Sequence, residues 1–373
     1  MVEQREIVII GAGPAGSAAA REAARRGLCP LLLDKETSPG ARNACGGFAA
    51  HAYRRALELP EDVIEGEICT TLLRMGRRAH YCTGRQPMYI SFHRRMFDAF
   101  LARRAVEAGA ELVTRARARI ADAATRRVVF REGPEGRERE VCAQVLIFAD
   151  GPSTMAVRAY GIGHRPGPRT RQALVVELEG PAARPEIAEV VVDPTARSTG
   201  YFWIFPKRDR LNVGVGGPRV TGEPSLAVRL GEFIESRPDL RGRRVLSRLA
   251  GLVPIERAER LVAPGVMAVG DAAGLVNPIT GGGIAFALLS GEIAGRTAAD
   301  AVRAGRVDEA ALTAYPRRLR WTPHYAWLAA MTHWRRRLDK LAPAQRAAAH
   351  GRMLEQYFDF FTGLRWLVEA VLR

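Results

Sequence analysis

Lysine is nearly missing from this chain of 373 residues, standing only at Lys35, Lys207 and Lys340, so the positive side of a formal net charge of +16 is carried by arginine. Two readings of that excess stay open: a GC-rich genome that writes arginine for lysine, or attraction to anionic lipid head groups, phosphorylated substrates or nucleic acid. The arginines are scattered, without stacking aromatics between them or a recognition motif, so nucleic acid is not an expected partner. Cysteine is sparse as well. Cys29, Cys45, Cys69, Cys82 and Cys142 make an odd count with no C-x-x-C pair, which argues against a disulfide scaffold and a zinc site; no metal is expected, and a reducing cytoplasm fits. No uncharged run has the length of a bilayer, so any membrane contact would be peripheral. The apolar stretch from Ile7 to Ala20 follows acidic residues and is broken by glycines at fixed spacing, unlike a signal-peptide core.

Apolar residues make up 47% of the chain, and its length exceeds the roughly 250–300 residues at which a single core stops growing, so two or more lobes are expected. Glu6 to Ile10 reads as a short buried parallel strand. Gly11-Ala12-Gly13-Pro14-Ala15-Gly16 follows at once and leads into an Ala-rich helix from Ser17 to Arg26. In that context the glycine spacing is a dinucleotide fingerprint: Gly11 permits the turn, Gly13 lets a pyrophosphate approach the backbone, and Gly16 lets helix and strand pack closely. The helix N-terminus adds partial positive charge. A second strand, Leu31 to Leu33, ends in Asp34, whose carboxylate can accept hydrogen bonds from a ribose.

The loop from Pro39 to Phe48 holds Arg42, Cys45, Gly46 and Gly47; Cys45 is either a small buried hydrophobe or a cofactor-facing thiol. Residues 51–86 offer few anchors and read as an excursion into another lobe. Ser91 to Gly109 is helical by period, with Arg94 near its start, on a solvated face or against a phosphate. Glu111–Val113, Arg117–Ile120 and Val128–Phe130 read as a meander with a turn at Gly133 to Gly136. Val145 to Phe148 is a further buried strand, ending in Asp150-Gly151, a loop that can present backbone amides.

Strands at Ala173–Glu179 and Glu189–Val192 lead to Gly200-Tyr201-Phe202-Trp203-Ile204-Phe205-Pro206, closed by Gly214-Val215-Gly216. Alternation puts Tyr201, Trp203 and Phe205 on one face, and the glycines let a backbone come close to a neighbour. Ser225 to Ser236 has helical spacing, and Val245 to Val253 is expected to return toward the nucleotide lobe. A third strand ends in Asp271, and Gly281-Gly282-Gly283-Ile284 opens a long helix to Ala301. From Ala310 onward the chain is helical and aromatic, with Trp321, Tyr325, Leu328, Trp334, Met353, Tyr357, Phe358, Phe361, Leu364, Leu367, Val368 and Val371. That stripe reads as core packing or, with Arg335-Arg336-Arg337, as an interfacial membrane face.

Three strand-to-acid units in this order resemble the FAD-binding lobe of the p-hydroxybenzoate hydroxylase-like flavoproteins. The motif Tyr201-x-Trp203-x-Phe205-Pro206, seven residues, Gly214-x-Gly216 is similar to the signature of the geranylgeranyl reductase family. The resemblance runs from Glu6 to about Ala301. It implies FAD held through Gly11, Gly13, Ala15, Gly16, Asp34, the Arg42 to Gly46 loop with Cys45, Arg94, a strand backbone near Ala118, Asp150, Asp271, Gly282, Gly283 and Ile284. The start of the Ile284 helix would face the pyrimidine side of the reduced flavin. Cys45, Tyr201, Trp203 and Phe205 become the candidate catalytic residues, the aromatics shaping an alkene cavity. Many members carry Lys or Pro just before the Cys-Gly pair, where this chain has Asn43-Ala44.

The expected fold is α/β (α+β): a Rossmann-like FAD-binding lobe (1–50, 85–170, 255–305), a second antiparallel-sheet catalytic lobe (51–84, 171–254) and a helical C-terminal region (306–373). The expected activity is reduction of an isoprenoid chain on a lipid by hydride from reduced flavin, with Cys45 or a water as proton donor. There is no second nucleotide fingerprint, so electrons would come from transient NADPH or from a reduced ferredoxin-like donor protein. The expected setting is cytoplasmic, with a possible peripheral membrane surface. The rivals are a flavin-dependent monooxygenase of the aromatic hydroxylase kind and a non-enzymatic isoprenoid-binding protein. Halogenation is disfavoured, because the halogenases place a catalytic lysine between fingerprint and aromatic motif and none stands between Lys35 and Lys207.

Overall fold

The computed structural model describes residues 2–42, 44–133, 136–193, 199–218, 222 and 224–363. In chain order the elements begin with β1 (Glu3–Ile10), α1 (Pro14–Arg25), β2 (Leu31–Leu33), β3 (Phe48–Ala50), α2 (Ala52–Ala56), β4 (Ile64–Ile68), β5 (Thr70–Met75), β6 (Arg78–Thr83), β7 (Tyr89–Phe92), α3 (Arg94–Glu107), β8 (Glu111–Val113), β9 (Ala116–Asp122), β10 (Arg127–Glu132), β11 (Glu138–Phe148) and α4 (Ala156–Tyr160). They continue with β12 (Arg171–Glu179), β13 (Ile187–Val192), β14 (Tyr201–Pro206), β15 (Arg210–Gly217), α5 (Leu226–Glu235), β16 (Val245–Val253), β17 (Val262–Ala263), β18 (Val266–Ala268), α6 (Ile284–Arg303), α7 (Glu309–Leu312), α8 (Ala314–Arg320), α9 (Pro323–Asp339) and α10 (Pro343–Gly363). The chain divides into two compact units, one of Met1–Arg42, Phe97–Thr170 and Val253–Ala330, the other of Asn43–Met96, Arg171–Leu252 and Met331–Arg373.

In the first unit an eight-stranded sheet runs β17-β18-β11-β1-β2-β8, with β10 and β9 added beside β11. β1 pairs in parallel with β2 and with β11, and Ile7, Val8 and Ile9 are fully buried, which explains why the strand is an unbroken apolar run rather than an alternating one. α1 and α6 pack backbone to backbone. A Cβ on Gly291 would stand 2.1 Å from the Ala15 carbonyl oxygen, and one on Gly295 would stand 2.3 Å from that of Ala19. The Gly133 end of the expected turn has φ +74°, while residues 134 and 135 lie outside the described residues.

In the second unit a seven-stranded sheet runs β16-β12-β15-β14-β13-β5-β6, beside a three-stranded sheet β3-β7-β4. β12, β15, β14 and β13 pair antiparallel in turn, as do β5 and β6, while β13 pairs with β5 in parallel. One sequence expectation changes here, and two segments gain definition. The excursion at 51–86 supplies β4, β5 and β6, ordinary strands of these sheets. Val245–Val253 forms β16, the edge strand beside β12, and the chain re-enters the first unit at Val253. Ser91 is in β7 rather than in a helix, because Tyr89 to Phe92 pairs on both sides, with β3 and β4, and the helix begins only at Arg94.

The aromatic tail divides: Leu328 and Phe358 are buried, Tyr325, Met353 and Tyr357 half-buried, and Trp321, 87% exposed, and Trp334 open to solvent. Arg335 does not join a solvent-facing arginine row: it is buried, donating to Asp339 at 3.0 Å and to Thr199 Oγ1 at 2.8 Å. α10 is tied to β6 through His80 and Cys82, both of which bond Asp359. The expected apolar positions Leu364, Leu367, Val368 and Val371 lie outside the described residues. Among the described residues no helix is long and apolar enough to cross a membrane.

Candidate functional site

The first unit builds a cradle from the ends of its parallel strands. Gly11 has φ +102°, and a Cβ there would stand 2.3 Å from the Ala149 carbonyl oxygen, so only glycine makes this turn. Gly16 is needed for a different reason: its Cβ would stand 1.8 Å from the Gly11 carbonyl oxygen. Around Gly13, the N-cap of α1, a Cβ would meet nothing within 4 Å, so the backbone is open to an approaching group. The first amides of α1 have no acceptor within the helix and carry its positive end. Ala15 sits in that first turn, nearly buried against α6.

Asp34 closes the neighbouring strand. Its Oδ2 accepts from the Ala12 amide and its Oδ1 from the Glu36 amide, each at 2.8 Å, which fixes the carboxylate and leaves each oxygen further acceptor capacity. Burial pushes its pKa up, against the pull of those two amides. Asp150, just past β11, accepts from the Met155 amide at 2.8 Å through Oδ2, while Oδ1 is buried and has no hydrogen-bond partner among the described residues. Burial raises this carboxyl too. Such an orphaned acceptor calls for a donor from outside the protein.

Asp271 lies in one 3-10 turn, Gly270–Ala273, after β18. A Cβ on Gly283, the N-cap of α6, would stand 3.1 Å from Asp271 Oδ1, so the carboxylate faces the start of that helix, where Gly282 and Ile284 also sit. Asn277 was not singled out from sequence. Its Oδ1 accepts from the Ile279 and Thr280 amides, and its backbone bonds Gly281 and Gly282, which folds the glycine loop back to the head of α6. Its Nδ2 is buried with no partner among the described residues. The Asn-Pro pair at 277–278, a turn opener, was the available signal.

Three other expected residues have the following places. Arg42 is exposed and reaches Glu36 at 3.7 Å. Ala118 lies in β9 opposite Phe130. Arg94 is the first residue of α3 and belongs to the second unit.

In the second unit β14 presents Tyr201, Trp203 and Phe205 on one face. The centroids of Trp203 and Phe205 are 6.2 Å apart and those of Tyr201 and Trp203 5.9 Å. The other face, Phe202 and Ile204, is core, with Phe202 stacked on Phe233 of α5 at 4.4 Å. The glycines of the motif serve the tryptophan rather than an outside group: a Cβ on Gly214 would stand 2.1 Å from Trp203 Cζ2, and one on Gly216 3.6 Å from Cζ3. The indole therefore lies across β15, and Trp203 Nε1 donates to Asn212 Oδ1 at 2.8 Å.

This aromatic shelf carries the Cys45 loop. A Cβ on Gly46 would stand 2.7 Å from the Phe205 ring, so the backbone rides directly on it. Phe48 stacks on Phe205 at 4.4 Å. Cys45 is half-buried, and its Sγ accepts from the Gly47 amide at 3.3 Å. Asn43 lies outside the described residues. Trp203 and Phe205 are nearly covered, and Tyr201 is the most open aromatic of the three. Sequence reasoning passed over Asn212, Glu177 and Lys207 as members of this cluster; Lys207, 2% exposed, is held by burial at about 8.

Comparison with known proteins shows the family to which the chain belongs. Residues 6–203 match the family described as FAD dependent oxidoreductase. Digeranylgeranylglycerophospholipid reductase 2 of Methanothermobacter thermautotrophicus is 34% identical over 332 residues, 85% of this chain and 83% of that protein. Digeranylgeranylglycerophospholipid reductase 1 of Methanopyrus kandleri is 35% identical, over 80% of this chain and 81% of that protein. Among solved structures, a geranylgeranyl bacteriochlorophyll reductase-like protein of Thermoplasma acidophilum superposes with a TM-score of 0.78 at 23% identity, covering 97% of this chain and 91% of that one. A flavin-dependent brominase superposes at 0.70 with 22% identity, over 99% of this chain and 93% of that one, a likeness of fold alone. On the family match and these relatives, the chain belongs to the geranylgeranyl reductase family of FAD-dependent oxidoreductases.

Proposed function

We propose that this chain saturates carbon–carbon double bonds in geranylgeranyl chains of a glycerophospholipid. The observation that carries the reading is the 34% identity to a digeranylgeranylglycerophospholipid reductase across most of both chains. The cradle fits FAD: an open Gly13 at the head of α1 for the pyrophosphate, Asp34 for the ribose, Asp271 and the Gly282–Ile284 helix start for the ribityl and pyrimidine end, and the unpaired Asp150 Oδ1 and Asn277 Nδ2 as waiting acceptor and donor.

Bound and reduced, FAD supplies a hydride. The protein must then bring the alkene into a dry setting and give a proton to its other carbon. Cys45 is the proposed proton donor, directly or through a water, and Tyr201 with the edge of Trp203 is the proposed apolar wall. Electrons would arrive from transient NADPH or from a reduced ferredoxin-like donor protein. The lipid would be taken at a peripheral membrane surface, with the exposed Trp321 as one apolar contact.

The test is anaerobic: dithionite-reduced protein is mixed with a detergent-dispersed geranylgeranyl glycerophospholipid and flavin absorbance is followed. Reoxidation that depends on the lipid supports the reading. No reoxidation by lipid, with oxygen-dependent formation of a hydroxylated aromatic product instead, overturns it in favour of a monooxygenase.

A further inference from the structure

We infer that Lys207 and Asn212 are positioning residues for the reaction, clamping the Cys45–Gly46–Gly47 loop onto the Trp203–Phe205 shelf and so fixing where the Cys45 thiol stands. The inference rests on the assignment of Cys45 to the reaction site.

The loop turns two carbonyls inward, and each is met by a side-chain donor. Asn212 Nδ2 donates to the Cys45 carbonyl at 3.1 Å. Lys207 Nζ donates to the Gly47 carbonyl at 3.0 Å and to the Phe92 carbonyl of β7 at 2.6 Å. One ammonium thus joins the end of the loop to the strand beside it.

The orientation of Asn212 is forced. The indole Nε1–H can only donate, so it claims Oδ1 and turns Nδ2 toward the Cys45 carbonyl. Nδ2 also donates to Glu177 Oε1 at 2.6 Å, and Phe205, Asn212 and Glu177 are direct cross-strand neighbours on β14, β15 and β12. The signature tryptophan therefore acts on Cys45 through Asn212.

The choice of lysine is itself informative. This chain uses arginine almost everywhere, buried Arg335 included, yet the cation buried against this loop is one of three lysines. A compact ammonium fits where a guanidinium would not: a Cβ on Gly47, at φ +57°, would stand 2.7 Å from Nζ and 2.0 Å from the Phe92 carbonyl oxygen. Both hydrogen-bond acceptors of Lys207 are carbonyls, so the charge serves the loop rather than an ion pair. A cation kept in so dry a place is costly, and an apolar residue would serve packing alone better.

The test uses the FAD-loaded enzyme and needs no turnover in its first arm. Iodoacetamide labelling of Cys45 is timed by peptide mass spectrometry, with exposed Cys29 as internal reference, in the parent, Lys207→Met, Lys207→Gln and Asn212→Ala. Release of the loop is expected to raise the Cys45 rate several-fold in Lys207→Met and Asn212→Ala, and less in Lys207→Gln, which restores one donor; Cys29 holds its rate. In the parent, the Gly47 amide is expected to resist hydrogen exchange. With a geranylgeranyl lipid, kcat falls in the variants while KM holds. Folded, FAD-containing variants that label Cys45 at the parent rate overturn the inference, as does a Gly47 amide that exchanges like an open loop, which needs no variant. If the parent itself does not turn over lipid, the reductase reading fails while the labelling arm still decides the clamp.

Discussion

Two buried charges have consequences that can be measured. Burial lowers the Lys207 pKa from 10.5 to about 8, so the folded protein binds this proton less tightly than the unfolded chain. The sign follows: the unfolded state holds more protons between the two values, and stability rises with pH across that window. Urea unfolding from neutral to alkaline pH is expected to show the parent gaining stability relative to Lys207→Met. Parallel curves would contradict it. Asp150 has the opposite balance. Burial raises its pKa against the pull of its hydrogen bonds, which means stability present at low pH and lost as pH rises through the folded value. Asp150→Asn keeps the acceptor for the Met155 amide and removes the charge, so the apoprotein should gain about 1 kcal/mol at neutral pH while FAD binds about tenfold more weakly. Urea melts and flavin fluorescence titration read the two effects separately.

Residues of this kind divide by how much of their reason is local. Gly11, Gly13 and Asp34 could be read from sequence because strand, turn and acid follow one another along the chain. Asn212 and Lys207 could not, since their partners, Cys45, Gly47 and Phe92, lie more than a hundred positions away and meet them only through sheet register. The motif glycines show a subtler limit. Gly214 does permit a close approach, as its type suggests, but what approaches is the indole of Trp203 from the adjacent strand.

At the scale of elements, the two glycine roles in helices make a matched test. Gly291 in α6 has the Ala15 carbonyl 2.1 Å from where a Cβ would stand, whereas Gly231 in α5 has nothing within 4 Å. Gly291→Ala should separate α6 from α1 and cost about 1–3 kcal/mol, and Gly231→Ala should stabilise by roughly 0.5–1 kcal/mol through helix propensity. Equal effects in denaturant unfolding would sink the packing account. Periodicity found most elements, and it failed where pairing decides. Ser91 and Phe92 look helical when read with the sequence that follows, yet they belong to Tyr89–Phe92, whose two edges are both taken by strands. Likewise Arg335 belongs to a charged triplet in sequence and to the interior in the fold, because Thr199 and Asp339 receive its guanidinium.

For the molecule as a whole, FAD is expected to be part of the folded state's stability. A cofactor that binds only the native protein adds about 2.7 kcal/mol when present at roughly a hundred times its dissociation constant. Stripping FAD should lower the thermal midpoint, adding it back should restore the midpoint in a concentration-dependent way, and a midpoint indifferent to FAD would contradict the cradle. Enzyme class was legible because its marks are contiguous: a fingerprint at 11–16 and a signature at 201–216. The lipid was not, because an apolar chain is recognised by a surface assembled from several strands rather than by any run of residues. The charge of +16 is compatible with an anionic membrane surface, and that association is part of the proposal. The central claim is that this flavoprotein reduces isoprenoid alkenes. The most direct measurement is the mass of a geranylgeranyl glycerophospholipid recovered after anaerobic incubation with the reduced enzyme. The account predicts a gain of two hydrogens for each double bond saturated; lipid returned unchanged while the flavin stays reduced would contradict it.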